Sequence, residues 1–148
     1  MTDVLVIPPD AERLLVQFLL AQDEVADIFD DRIYTVLPAK DRQYPLARLT
    51  LIGRVPDYPV PLHHETARLQ VDTFGGSKST ARRGADTVRA AIAARISGWP
   101  HDEAVVQLAT FGDMLWLPDA TLTPGEVAKP RYTFDCSLRL RPRLEQPT

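Results

Sequence analysis

The stretch Arg131-Tyr132-Thr133-Phe134-Asp135-Cys136-Ser137-Leu138-Arg139-Leu140-Arg141 sets Tyr132, Phe134, Cys136, Leu138 and Leu140 in unbroken alternation with polar neighbours. Successive side chains of a strand point to opposite faces, so a period of two predicts one β-strand with an apolar row and a polar row. Its length, residues 131–141, is about twice that of an ordinary strand. The apolar row needs a helix layer to cover it, and Cys136 within that row acts as a small hydrophobe. The polar row, Arg131, Thr133, Asp135, Ser137, Arg139 and Arg141, is too polar for a core and is left to face a lumen or a neighbouring molecule.

Upstream of this strand the chain supplies both the helices and the further strands. Asp10, after Pro8-Pro9, is placed to cap a helix carrying Leu14, Leu15, Phe18 and Leu19 on one face. Val25, Ile28 and Phe29 recur at helical spacing and predict a second short helix, or a continuation of the first after a bend. Arg32-Ile33-Tyr34 leads into an extended piece, and Pro38 and Pro45 bracket a polar loop. Residues 46–55 read as a strand with Leu49 and Leu51 on one face and Ile52 on the other, which predicts partial cover of both faces. Pro56, Pro59 and Pro61 cannot donate ladder hydrogen bonds, so residues 55–64 form a loop. Residues 67–74 alternate again, Gly75-Gly76 ends that strand, and Ser77 or Ser79 caps a helix with Ala81, Ala85, Val88, Ile92 and Ile96 on its buried face. Gly98 and Pro100 close it. Residues 105–109 and 114–117, separated by Thr110-Phe111-Gly112-Asp113, predict a β-hairpin. A proline-bounded loop follows over 118–130, and residues 142–148 form a tail that frays or docks on a partner. The expected architecture is α+β, one domain over residues 1–148, with a mainly antiparallel sheet packed against an N-terminal helix and a central alanine-rich helix.

Composition narrows the function classes. The chain has 148 residues, 45% hydrophobic and 25% charged, and its longest apolar runs fall well below the roughly 20 residues needed to cross a bilayer. Met1-Thr2-Asp3 lacks the basic region of a secretory signal, and a single cysteine excludes an internal disulfide, both as expected of a protein made in a cytoplasm. The net charge of −3 argues against coating nucleic acid as the main task. The distribution is uneven: residues 1–31 carry eight acidic side chains and only Arg13 as a base, whereas residues 129–148 carry five basic side chains against Asp135 and Glu145. In a ring, ends of opposite sign steer neighbouring subunits into register.

Chemistry-bearing motifs are weak throughout. His63, His64 and His101 lack the i, i+4 spacing that lets two imidazoles converge on a metal, so no metal or other cofactor is expected. His63 and His64, with Pro59, form instead a loop contact surface. Gly75-Gly76-Ser77-Lys78-Ser79-Thr80 sits between strand and helix as a phosphate loop would, but Ser77 interrupts the Gly-Lys pair and Gln70 or Val71 stands where the first glycine belongs. No serine occupies a Gly-x-Ser-x-Gly elbow. Two weaker readings remain beside a non-enzymatic one: a small cytoplasmic enzyme built around His63, His64 and Asp72, and a nucleic-acid module using Lys78, Arg82 and Arg83.

The order of elements resembles the tail terminator and tail completion proteins of long-tailed bacteriophages. Three stretches carry the likeness: the N-terminal helix followed by Arg32-Ile33-Tyr34, Pro38 and Pro45-Leu46; Arg68-Leu69-Gln70-Val71-Asp72-Thr73-Phe74 with the alanine-rich helix after it; and the closing strand from Arg131 to Leu140. The resemblance implies a homohexameric ring in the virion, at the head-proximal end of the tail. Such a ring caps the tail tube, stops its polymerisation and presents a surface to the head-side connector protein, with DNA passing through the lumen without specific binding. It implies neither catalysis nor cofactor. Another head–tail connector, a neck or head-completion subunit, is the alternative within the same particle. The residues expected at interfaces are Arg131, Thr133, Asp135, Arg139 and Arg141, with Pro59, His63 and His64.

Overall fold

The structure, a computed structural model, describes residues 7–56, 64–119 and 128–143. The chain opens with helix α1 (Ala11–Leu20), which starts where the extended Asp10 accepts the Arg13 N–H at 3.0 Å. After one turn it resumes as α2 (Asp23–Phe29), a separate short helix. Strands β1 (Ile33–Tyr34), β2 (Leu46–Pro56) and β3 (Glu65–Phe74) follow, then helix α3 (Lys78–Arg95), and strands β4 (Ala104–Phe111), β5 (Leu115–Trp116) and β6 (Arg131–Pro142). Among the described residues one sheet contains all six strands in the order β1-β2-β3-β6-β4, with β5 also paired to β6. Among the described residues only the β1–β2 pair is parallel. The fold is therefore α+β with a mainly antiparallel sheet.

The helices cover one face. Leu14, Leu15 and Phe18 of α1 and Val88 and Ile92 of α3 meet Leu49, Leu69, Val71, Phe134, Cys136 and Leu138 of the sheet in one core. Burying each of the fully enclosed Phe18, Phe29 and Phe134 side chains contributes about 1.5–3 kcal/mol. Helix α3 approaches closely because its buried face is small: Ala81, Gly84, Ala85 and Ala91 lie on it. A Cβ on Gly84 would come within 2.6 Å of Phe29 Cζ, so this glycine lets α2 pack on α3. At the start of α3, Ser77 Oγ accepts the Thr80 N–H at 3.2 Å, and Thr73 Oγ1 donates to Ala81 O at 2.9 Å, tying the helix to β3. Gly75-Gly76-Ser77 is thus a turn and a cap.

Three local features refine the sequence reading. Leu51 pairs with Leu69 and Gly53 with Arg68, which leaves Ile52 as the extra residue of a β-bulge, half exposed among the described residues. The expected hairpin at residues 105–117 does not form: β4 and β5 both run antiparallel to β6 along the same edge. Phe111 pairs with Cys136, Gly112 donates its N–H to Asp135 O at 2.9 Å, and Leu115 pairs with Thr133. The unbroken length of β6 offers a ladder to both segments, so residues 112–114 bulge within one interrupted strand and do not reverse it. Further on, an isolated bridge joins Asp119 to Lys129, and residues 120–127 of the expected loop lie outside the described residues.

Candidate assembly interface

The face turned away from the helices is built from alternate residues of β2, β3 and β6. Register places Arg48, Asp72, Thr133 and Leu115 in one row across four strands, with Gln70 opposite Asp135 in the next row of this face. Asp72 is fully buried at the centre. Its carboxylate accepts from Arg48 Nη2 at 3.1 Å, Arg48 Nε at 3.2 Å and Gln70 Nε2 at 3.1 Å, and Arg131 Nη1 lies 3.9 Å away. Arg131 also reaches Asp119 at 3.4 Å and donates from Nε to Leu117 O at 2.7 Å. The guanidinium groups of Arg48 and Arg131 both lie over the Phe74 ring, at 5.6 and 6.0 Å from its centroid. A carboxylate taken out of water in this way needs such partners, because an unpaired buried charge is very unfavourable.

The polar row of β6 therefore divides. Arg131, at its start, is held inside this network, and Thr133, opposite Asp72 in register, is buried. Asp135 pairs with Arg68 of β3. Arg139 and Arg141, at the far end, are exposed. His64 is half buried beside the start of β3, while Pro59 and His63 lie outside the described residues. Asp72, considered above with the histidines as a catalytic group, is occupied by Arg48, Gln70 and Arg131. The sequence marks Arg48 and Asp72 only as polar positions of alternating strands; their convergence depends on strand order, which a local pattern does not encode.

At the turn before β4 the titratable groups are engaged in structural contacts. His101, Asp102 and Glu103 come together, but His101 Nδ1 accepts the Glu103 N–H at 3.1 Å and Nε2 lies 2.7 Å from Gln17 Oε1. Arg13 binds Glu103 at 2.6 Å and Asp102 at 3.4 Å, and its hydrogen bond lowers the Asp102 pKa. This turn is a clip between α1 and β4, with its ligand atoms already committed. Arg82 and Arg83 line an open groove between α2 and α3 together with Asp27 and Asp86, so the basic cluster is interleaved with acids. Burial pushes the Cys136 thiol up to about 12.

No protein-family model matches this chain, and no curated protein matches it either. Among solved structures, its fold is similar to that of a chain in the virion of a native gene transfer agent particle, with a TM-score of 0.58 and 13% sequence identity. The match covers 89% of this chain and 93% of that one. At this identity the likeness is one of fold.

Proposed function

We propose that this chain is a structural subunit of a phage-like virion, and specifically a tail terminator that closes into a homohexameric ring on the end of the tail tube. The observation that carries the reading is the fold shared along almost the full length of both chains with a component of a virion particle. The order of helices and strands that resembles terminator proteins is a second support. The buried polar network on the open sheet face, with Asp72 satisfied by its own chain, supports a scaffold role over a catalytic one.

The work of such a subunit is recognition. A ring bound at the tube end covers the edges on which another layer of tube protein would add, so polymerisation stops. Its opposite side receives the head-side connector protein, and genome DNA passes through the lumen without sequence-specific contact. The exposed end of the β6 row, Arg139 and Arg141, is assigned to a subunit or partner contact. Light scattering of the purified chain, with electron microscopy after mixing with tail tubes, tests the reading: rings seated on one tube end are expected. Binding to the head portal with no affinity for tubes transfers the chain to a neck role. Failure to form a ring either alone or on tubes contradicts the proposal. Changing Arg141 to Glu is expected to leave the unfolding free energy within about 0.5 kcal/mol of the parent, as for exposed substitutions, while reducing tube binding; unaltered binding removes this end of the face from the interface.

A further inference from the structure

The two edges of the sheet leave open segments at the same level. On one side β1 is only two residues long, its outward Ile33 N–H turns back to Asp31 O at 2.9 Å and its outward groups for a partner are reduced to the Ile33 carbonyl, and higher up the edge Glu12 Oε2 occupies the outward Leu51 N–H at 3.0 Å. On the other side Gly98 donates to Val106 O at 2.9 Å and Ser97 to Gln107 O at 3.5 Å, covering the first half of β4. Among the described residues nothing bonds the outer backbone of residues 108–117. Register carries Ile33 through Ala47, Thr73 and Tyr132 to Trp116, so β1 and β5 stand at opposite ends of one row.

Both open segments carry apolar side chains that a lone subunit leaves in water. Val36, just after β1, is 81% exposed, and Leu108, Leu115 and Leu117 on the opposite edge are about half exposed. An apolar edge that another strand does not pair is a template for one. The charges beside the two segments are opposite. Lys78 lies over the Trp116 ring at 4.7 Å with Arg82 close by, and Asp30 and Asp31 lead directly into β1. Among the described residues, none of these four is in an ion pair. Since β1 runs parallel to β2 and each later pair in the row is antiparallel, β5 runs opposite to β1.

We propose that neighbouring copies of this chain join edge to edge, the outer side of β1 in one copy adding antiparallel to the outer side of β5 in the next. The contact is heterologous, so repeating it generates a ring when the rotation closes. It continues the sheet from subunit to subunit, covers Val36, Leu115 and Leu117, and sets Asp30 and Asp31 against Lys78 and Arg82. The inference rests on the ring reading above and names its seam.

Paired cysteines test it. Tyr34, Leu115 and Leu117 share the face turned from the helices, and the variants carry Tyr34→Cys with either Leu115→Cys or Leu117→Cys, which covers a slip of one residue pair. Within one chain β1 and β5 are four strand spacings apart, about 19 Å, far beyond the roughly 7 Å that a disulfide spans. Any bridge is therefore between copies, and the buried Cys136 stays unreactive. Oxidation of the purified protein, alone and on tail tubes, is expected to give a ladder of covalent oligomers ending at the ring size, absent from each single-cysteine variant. Rings that form without a ladder in either double variant overturn the seam and leave the ring standing. A monomer under every condition, tubes included, overturns both.

Discussion

Asp72 is the residue that organises the open face of the sheet. It is fully enclosed, yet its partners Arg48, Gln70 and Arg131 come from three different strands, so the carboxylate locks β2, β3 and β6 in register from the side opposite the core. Removing one member of such a group leaves the others uncompensated. Asp72→Ala is expected to lower the unfolding free energy by about 3 kcal/mol, read from urea titration; a loss below about 1 kcal/mol would show that solvent screens the network and that it does not hold the strands. Sequence reasoning identified Asp72 as polar and weighed it as a catalytic group. It missed the network because Arg48 and Arg131 are far from Asp72 along the chain, and only the order β2-β3-β6 brings them together. The apolar row of the same strand was legible residue by residue, since alternation alone decides which side of β6 meets the core.

At the scale of elements, the helix layer depends on the close approach of α2 to α3. Gly84→Ala gains about 1 kcal/mol of helix propensity but drives a methyl into Phe29, and overpacking of this kind costs about 1–3 kcal/mol. A net loss of stability is expected, with Phe29→Leu less damaging in the Gly84→Ala background than in the parent. Additive effects in that double-mutant cycle would contradict the contact. The same helix pair is clamped outside the core by Glu24 and Arg95, at 2.6 Å. The Arg95 hydrogen bond, helped by a backbone N–H, holds the Glu24 carboxyl down at about 2 against an ordinary 4.5. A depressed carboxylate stabilises the fold above its unfolded pKa and loses that contribution as pH falls through the folded one. The stability gap between the parent and Glu24→Gln, small for so exposed a pair, should therefore close between about pH 4.5 and pH 2; a gap unchanged over that window would remove the clamp. Helix starts and the long strands were readable because caps and periodicity are local. The misplaced hairpin at residues 105–117 shows the limit: Gly112-Asp113 resembles a turn, and only the available edge of β6 keeps the chain running straight.

For the whole molecule, the proposed reading is that a sheet with one covered face and two edge segments that no other strand pairs is a part that repeats. The acidic start and basic end of the sequence were visible as a charge imbalance. Which surfaces they occupy was not, since the basic contribution beside β5 comes from Lys78 and Arg82 on α3 and not from the C-terminal residues that first drew notice. The fold is shared with a chain of a virion particle, and the proposed task is to end a polymer. The most direct measurement is the length distribution, by electron microscopy, of tail tubes assembled with and without this protein. Tubes of one length in its presence and tubes that grow without limit in its absence are the predicted result; identical distributions would contradict the account.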